Sequence, residues 1–153
     1  YGNSPFEIST ADVAGKTIVQ STRAGTVGVA AATKADKIYL GSFVVAEATV
    51  KTIIREEPDL VSIIAMGDRG RIRSDEDEQC ALYLRNLLGG RRPSEEAVRS
   101  VVMDGGETQK FFDPSQTQYH PEDVELALRL NRFPFAMKIN WEDGLLVARK
   151  VGV

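Results

Sequence analysis

Two hydroxyls and a guanidinium lie within five residues near the start of the chain, at Thr22, Arg23 and Thr26 of the segment Ser21–Thr26. The segment separates an apolar run from an alanine-rich helical pattern. A strand that ends in a short glycine-containing turn and opens into a helix leaves backbone N–H groups that attract an anion. Arginine adds a planar set of donors that suits phosphate, sulfonate or carboxylate. The segment is a candidate oxyanion-binding loop, or else an ordinary turn in which Thr26 caps the helix and Arg23 faces water.

A second candidate is the acidic run Asp75–Glu78, which follows Ser74. Adjacent carboxylates repel one another, and Mg²⁺ would relieve that repulsion, since it takes one or two carboxylates together with water and substrate phosphate. The alternative is structural. Ser74 and Asp77, three residues apart, resemble a capping box, and acidic residues in a first turn favour the helix dipole. Neighbouring side chains on a helix diverge by about 100°, so the whole run cannot hold one ion.

His120 and Cys80 are the single histidine and the single cysteine of the chain. Imidazole titrates near neutral pH, so His120 is a candidate acid or base, although its place before Pro121 favours a capping or solvent-facing role. Cys80 lies on the apolar stripe of a predicted helix, which favours a packed thiol over a nucleophile. A lone cysteine permits no internal disulfide, which fits a reducing cytoplasm.

The composition limits the classes of function. The chain has 153 residues, of which 42% are hydrophobic and 27% charged, as in one globular domain. Its net charge of −3 argues against a broad nucleic-acid surface, which needs a clustered basic face. No apolar run is long enough to span a bilayer. We therefore expect a single cytoplasmic α/β domain over residues 1–153 that binds neither nucleic acid nor a membrane.

Strands and helices alternate in the first half of the chain. The predicted strands are Lys16–Ser21, Lys37–Leu40 and Leu60–Met66, each followed by a loop that combines glycine with hydroxyl or charged residues. This alternation is typical of βαβ units and a parallel sheet, in which ligands bind beyond the carboxyl ends of the strands. We therefore expect the three loops to converge on one edge of the sheet.

The second half of the chain is more helical. Helices are predicted to begin at Ser74, Pro93 and His120. The segments Phe135–Ile139 and Leu145–Arg149 predict a C-terminal hairpin joined through an Asp-Gly turn. The expected fold is a three-layer α/β/α protein with a mostly parallel or mixed sheet and this hairpin.

Several short motifs then follow one another in an ordered set: Gly2–Glu7, Ser21–Thr26, Gly41–Phe43 followed by Ala46, and Glu76–Asp77 with Cys80–Ala81. The set resembles the 2-phosphosulfolactate phosphatase family, whose members show a GNSP segment, a TTNGT loop, a GSF…NA helix start and an ED…CAG helix in this order. The resemblance covers most of the chain, including Pro121–Val124 and the closing hairpin.

The resemblance implies an α/β enzyme that hydrolyses 2-phosphosulfolactate to sulfolactate and phosphate with Mg²⁺, on a route to coenzyme M. It implies that Glu76 and Asp77 lie nearest the metal. For a phosphatase of this kind we expect both carboxylates to act in catalysis together with Arg23, which would hold the equatorial oxygens of the phosphate. The residues that would bind the small anionic phosphorylated substrate are Asn3, Ser4, Thr22, Arg23, Gly25, Thr26, Gly41 and Ser42.

The chain also departs from the family pattern. Arg23–Ala24 replaces Thr-Asn in the loop, and Val45 and Leu82 stand where asparagine and glycine are expected. These changes leave open a non-catalytic member that binds an anionic metabolite. The family's N-terminal portion is missing, and Gly2–Pro5 is turn chemistry with no element before it. We therefore expect residues 1–153 to be the larger, C-terminal part of a longer chain, which forms a homo-oligomer or pairs with the missing segment.

Overall fold

Seven α-helices and three β-strands make up the structure, a computed structural model that describes all residues from 1 to 153. Short 3₁₀ turns at Phe43–Val45 and Lys110–Phe112 join some of them. In chain order the elements are α1 (Pro5–Thr10), α2 (Gly25–Ala31), β1 (Ile38–Leu40), α3 (Ala46–Arg55), α4 (Asp75–Leu88), α5 (Glu95–Met103), α6 (Gly106–Gln109), α7 (Pro121–Ala127), β2 (Phe135–Glu142) and β3 (Leu145–Gly152). The chain is therefore a mixed helix–strand protein, as predicted.

The sheet has three strands in the order β1-β2-β3, and both pairs are antiparallel. Strands β2 and β3 form the predicted C-terminal hairpin. Its turn residues Asp143 and Gly144 have φ angles of 49° and 80°. Two successive positive φ values suit the right-handed twist of a tight hairpin, and Asp-Gly tolerates them better than most pairs. The hairpin prediction is confirmed.

Two of the predicted strands, Lys16–Ser21 and Leu60–Met66, form no ladder. Their apolar residues gave a strand pattern, but a strand is completed only when a neighbour accepts and donates its backbone hydrogen bonds. The strands that do form are antiparallel. A parallel, three-layer arrangement therefore stays a prediction.

The hydrophobic core lies where α3, α4, α5 and α7 meet, and it includes Phe43 of the 3₁₀ turn. Serine residues begin the two central helices of the second half: Ser74 precedes α4, and the Ser94 hydroxyl accepts the Ala97 N–H of α5. No helix of the chain has the length and apolar content needed to cross a membrane. The ten core residues are Phe43, Ala46, Val50, Tyr83, Leu84, Leu87, Val102, Val124, Leu128 and Leu130.

Glu56, at the end of α3, joins that helix to the sheet. Its carboxylate accepts a 2.7 Å hydrogen bond from the Tyr39 hydroxyl and a 3.0 Å bond from Lys138 Nζ. Lys37 Nζ lies 3.1 Å away. The hydrogen bond from Tyr39, followed by those from Lys138 and Lys37, lowers the pKa of Glu56 to about 2. The ionised carboxylate therefore stabilises the contact between α3 and the sheet.

We expect Glu56→Gln to lower the free energy of unfolding by roughly 1 kcal/mol near neutral pH, a value reduced for partial exposure of the group. A carboxyl with a lowered folded-state pKa stabilises the fold fully above its ordinary value of 4.5, and loses that contribution as pH falls to about 2. The wild-type and variant stabilities should therefore converge on acidification, as measured by urea unfolding. Glu57→Gln is the matched control, since Glu57 is exposed and forms no ion pair. A constant difference at all pH values would contradict the role of the charge.

Candidate active site

Thr22 and Thr26 close the arginine loop, Ser21–Thr26, on itself. The Thr22 N–H donates to Thr26 Oγ1 at 3.0 Å, and the Thr26 N–H donates to Thr22 Oγ1 at 3.0 Å. The Thr26 hydroxyl also donates to the Thr22 carbonyl at 2.9 Å. Thr22 rather than Thr26 therefore provides the capping oxygen for the start of α2. A Cβ at Gly25 would lie 3.3 Å from Thr22 Oγ1, so glycine suits this tight closure.

Arg23 lies at the tip of the arginine loop. It is exposed and forms no ion pair or hydrogen bond through its guanidinium. All of its donors are therefore available to an anion. The same observation also fits an arginine that faces water, which was the alternative interpretation of the sequence.

A chain of contacts joins α2, the helix that follows the arginine loop, to the start of α4. Gly28 of α2 packs so closely on Met66 that a Cβ there would lie 2.5 Å from the Met66 sulfur. The next residue, Gly67, donates its N–H to Asp77 Oδ2 at 2.7 Å. Gly67 has φ of 59°, and a Cβ there would lie 2.0 Å from the Ile72 carbonyl oxygen. Only glycine fits this position, which fixes one oxygen of Asp77.

The carboxylates of the acidic run point in different directions, as helical geometry requires. Asp75 Oδ2 accepts the Gly106 N–H of α6 at 3.3 Å. Glu78 forms a two-bond ion pair with Arg73. Ser74 is buried but makes no side-chain capping bond, so the predicted capping box does not form. Asp75 and Glu78 therefore have structural partners.

Glu76 and Asp77 are left with carboxylate oxygens that have no partner within the protein. Glu76 Oε2 is a buried oxygen without a hydrogen bond, and only one Asp77 oxygen is bonded, by Gly67. Burial alone would lower the pKa of Lys110, but its hydrogen bond to Glu107 and the nearby charges, Glu76 among them, raise it. Glu76 therefore lies toward Lys110, whereas Asp77 lies toward the loop that begins at Gly67.

Gly41 and Ser42 lie against α4, beyond its first turns. A Cβ at Gly41 would come within 2.8 Å of Leu84 Cδ1. Leu84 is two helical turns after Asp77 on the same face, which corresponds to about 10 Å along the axis. Ser42 precedes the 3₁₀ turn and its hydroxyl makes no capping bond. Gly41 therefore adjoins the same helix as Asp77, about two turns further along.

Asn3 and Ser4 have different positions. Asn3 Oδ1 accepts a 2.9 Å hydrogen bond from Gln20, just before the arginine loop. The buried Ser4 hydroxyl donates to Asp123 Oδ1 at 2.7 Å and accepts the Glu7 N–H at 3.1 Å. Ser4 is thus engaged in capping α1 and attaching it to α7, while Asn3 adjoins the candidate site.

The sequence interpretation included the loop after Met66 among the three converging loops, but it did not single out Arg71. A cavity of about 170 Å³ lies here, lined by Arg71 and Arg73 among others. Arg73 is paired with Glu78, but Arg71 is exposed and forms no ion pair. The signal was present, since Arg69, Arg71 and Arg73 alternate directly before the acidic run. Arg71 adds a second available guanidinium near the start of α4.

His120 and Cys80 have structural surroundings. His120 Nε2 lies 3.5 Å from Glu7 Oε1, and its ring packs on Phe6 with centroids 5.3 Å apart. Cys80 packs against the core. Burial, with a smaller contribution from the charge of Asp77, raises the pKa of the Cys80 thiol to about 12. The prediction of a packed thiol is confirmed.

The fold and these contacts define a mixed helix–strand domain in which an arginine loop is connected to an acidic helix start. The family model described as 2-phosphosulpholactate phosphatase matches residues 1–138. The chain therefore belongs to the 2-phosphosulpholactate phosphatase family, and the resemblance seen in the motifs is confirmed. No solved structure matches the chain significantly.

Relatives named "Probable 2-phosphosulfolactate phosphatase" occur in several bacteria. The chain is 34% identical over 84 residues to one from Clostridium perfringens (strain SM101 / Type A), covering 55% of this chain and 33% of the relative. It is 25% identical over 147 residues to one from Bacillus subtilis (strain 168), covering 93% of this chain and 61% of the relative. It is 35% identical over 90 residues to one from Caldicellulosiruptor saccharolyticus (strain ATCC 43494 / DSM 8903 / Tp8T 6331), covering 56% of this chain and 37% of the relative. The matched regions thus span 33–61% of the length of these relatives.

Proposed function

We propose that this chain carries the phosphate-binding and metal-binding residues of a Mg²⁺-dependent phosphatase. Its substrate would be a small, multiply anionic phosphoester such as 2-phosphosulfolactate, hydrolysed to sulfolactate and phosphate in a reaction of the coenzyme M biosynthesis type. The contact series from α2 through Met66 and Gly67 to Asp77 carries this proposal. It connects the helix that follows Arg23 to the carboxylate of Asp77, in a chain of the corresponding family.

Glu76 and Asp77 are the residues proposed to hold the metal. No group of three or more His, Cys, Asp and Glu side chains converges in the chain. Mg²⁺ does not need such a group, because it binds through one or two carboxylates and takes water and substrate phosphate as its other ligands. The unpartnered, buried Glu76 Oε2 and the unbonded oxygen of Asp77 fit this type of site. When bound, Mg²⁺ would supply charge neutralisation of the phosphate.

Arg23 and Arg71 would bind the anionic groups of the substrate. A phosphorylated sulfolactate carries a phosphate, a sulfonate and a carboxylate, so a single guanidinium cannot pair with all of them. Each arginine is exposed and lacks an internal ion pair. Arg23 would hold the phosphate through two donors, and Arg71 would hold a second acid group. The two arginines would orient the phosphorus atom for attack by water.

The test is release of inorganic phosphate from 2-phosphosulfolactate, with Mg²⁺ and with excess chelator. We expect turnover that depends on the metal and returns when Mg²⁺ is added back. Release that is equal in the chelated sample would contradict the proposed role of Mg²⁺. No release under any condition would contradict catalysis by this chain.

Arg23→Ala is expected to raise the KM for the phosphorylated substrate by about tenfold or more, because a charge-assisted two-bond contact to an anion is lost. Arg129→Ala is the matched control, since Arg129 is also exposed and unpaired but lies beyond α7. Phosphate release measured over a range of substrate concentrations gives KM and kcat for each variant. If Arg23→Ala behaves like Arg129→Ala, the arginine loop does not bind substrate.

A second candidate is a non-catalytic member that binds an anionic metabolite. The internal hydrogen bonds of Ser4, Thr22 and Thr26 favour it, since these hydroxyls are already engaged within the protein. A thermal-shift measurement with phosphate and with sulfolactate, each with and without Mg²⁺, separates the two functions. Stabilisation by these anions without any turnover supports binding alone.

A further inference from the structure

Ser74, the residue before α4, has a hydroxyl that the fold does not use. The residue is 7% exposed, and its side chain forms no capping bond with the first turn of α4. Serine is favoured at this position because its oxygen normally accepts a backbone N–H of that turn. A hydroxyl that is buried without a partner is costly, since it has given up its hydrogen bonds to water. The unused hydroxyl is therefore explained by a partner that comes from outside the chain.

The Ser74 hydroxyl opens on the cavity of about 170 Å³ that lies between residues 67–73 and the start of α4. Ser74 is one of the residues that line this cavity. The side-chain oxygens that are fully enclosed without a partner belong to Thr49, Thr52 and Glu76, and the Ser74 oxygen is not among them. The hydroxyl therefore keeps access to the cavity, and a ligand placed there can bond to it.

The charged groups around the cavity favour an anion. Its charged lining residues are Arg71, Arg73 and Glu78. The Arg73 guanidinium and the Glu78 carboxylate pair with each other through two bonds, so their charges cancel. Arg71 is exposed and forms no ion pair, which leaves one positive charge with all of its donors. The cavity therefore combines an unused hydroxyl with an unused guanidinium.

The other carboxylates at the start of α4 lie outside the cavity lining. Asp75 and Asp77 accept backbone N–H groups from other parts of the chain, and Glu76 lies toward Lys110. None of the three lines the cavity, so the one carboxylate in its wall is the neutralised Glu78. An anion in the cavity is therefore not in direct contact with an unpaired negative charge.

The size of the cavity limits what it can hold. Sites for drug-sized ligands have volumes of about 300–1,000 Å³, and this cavity has about 170 Å³. A single acid group on a short carbon stem suits that space. The guanidinium fork of Arg71 can bind two oxygens of such a group, and the Ser74 hydroxyl can donate one further hydrogen bond. The donors therefore match a carboxylate or a sulfonate at the end of a small molecule.

We propose that Ser74 and Arg71 together bind the terminal acid group of a small hydroxy acid, and so determine which hydroxy acids this chain accepts. Ser74 is the second ligand-binding residue beside Arg71, an assignment that rests on the proposed function. The acid group is a small oxyanion, either a carboxylate or a sulfonate. The missing capping bond of α4 follows from this role, because the hydroxyl is directed to the ligand.

The experiment is calorimetric titration of the 153-residue chain with sulfolactate, malate and lactate, in the absence of Mg²⁺. Sulfolactate and malate carry a sulfonate or a carboxylate on the carbon that is the methyl group of lactate. We expect this additional acid group to raise the affinity by about tenfold or more over lactate, since hydrogen bonds to a charged group are the strong ones. The anion with the larger gain identifies the acid group that the cavity accepts.

Two serine variants separate ligand binding from helix capping. Ser74→Ala should lose most of the gain in affinity, whereas its Tm should not decrease, because no capping bond is lost. Ser94→Ala is the matched control, since the Ser94 hydroxyl does accept the Ala97 N–H of α5. This control should lower the Tm by about 2–4 °C and keep the gain in affinity of the wild type.

Two arginine variants test the charged partner. Arg71→Ala should lose the gain in affinity, because the guanidinium that holds two oxygens of the acid group is removed. Arg69→Ala should keep it, since Arg69 is also exposed and unpaired but does not line the cavity. The two residues are neighbours in the same loop, so a general effect of charge would change both variants equally.

The proposal is overturned if lactate binds as tightly as both larger acids, or if none of the three anions binds. It is also overturned if Ser74→Ala keeps the gain within about twofold of wild type, or if Arg69→Ala loses as much affinity as Arg71→Ala. Phosphate release from 2-phosphosulfolactate with Mg²⁺ is measured separately on the same samples. Release without the gain in affinity contradicts this binding site alone, whereas the gain without release contradicts the phosphatase alone.

Discussion

Asp77→Asn is expected to lower the rate of phosphate release by about a hundredfold or more, if the function is the one proposed here. Asparagine retains the shape of the side chain and an oxygen that can accept the Gly67 N–H, a bond of 2.7 Å in the structure. It removes the negative charge that would hold the metal. Loss of a charged group that acts on the transferring phosphoryl group typically costs two to three orders of magnitude. The variant therefore separates the effect of the lost charge from any loss of structure, because the side chain can still accept the Gly67 N–H.

The rate is measured by phosphate release over a range of Mg²⁺ concentrations. Asp36→Asn is the control, since Asp36 is an exposed residue in the turn before β1 with no side-chain partner. We expect the control to retain the wild-type rate, and Asp77→Asn to show its thermal unfolding within about 2 °C of wild type. If Asp77→Asn keeps its rate within about twofold, Asp77 holds no catalytic metal.

The largest change in stability is expected at Asp123, which joins the first helix to the rest of the chain. The residue is 7% exposed, and its carboxylate accepts hydrogen bonds from the Ser4 hydroxyl at 2.7 Å and the Phe6 N–H at 2.8 Å. Asp123→Ala leaves the buried Ser4 hydroxyl and the partly buried Phe6 N–H without their partner. We expect a loss of about 3 kcal/mol and a decrease in Tm of roughly 6–12 °C, measured by calorimetry. Asp123→Asn should lose less, because it still offers an oxygen.

Asp113 provides a matched control for Asp123. It too accepts from a hydroxyl and a backbone N–H, at 2.7 Å and 2.9 Å, but both belong to Ser115 and the residue is exposed. Water replaces such local bonds, so Asp113→Ala should change the Tm by no more than about 2 °C. Equal effects of the two substitutions would show that α1 does not depend on Asp123.

Local signals predicted the helices better than the strands. The helix starts predicted at Ser74, Pro93 and His120 lie within two residues of the starts of α4, α5 and α7, because capping and turn preferences act within a few residues. The first helix was missed, although Ser4, Pro5 and Glu7 carry a capping signal, because the segment was interpreted as a turn. The segments 16–21 and 60–66 had the right apolar content for strands, but their pairing depends on residues far away in the chain.

The sequence predicted the residues of the candidate site but not the contacts that they make. The ordered motifs identified the family and the residues of interest. They could not reveal that Ser4 is bonded to Asp123 or that Thr22 is the residue that caps α2, since these contacts depend on the folded positions of several loops. Arg71 was overlooked because it lies between two motifs. The assignment of catalytic, substrate and metal roles stays a prediction that the substitutions above test.

The tight turn at Gly67 has a consequence for how members of this family can diverge. The bridge between Asp68 and Ile72 closes the loop at its base, and the hydrogen bond from the Gly67 N–H to Asp77 attaches that base to α4. Residues Arg69–Arg71 lie at the apex, outside this closure. The apex can therefore exchange its charges, or gain residues, while the position of Asp77 stays constant. Changes of substrate preference among homologues should accordingly concentrate at the apex, and the glycine beneath it should be the residue least open to replacement.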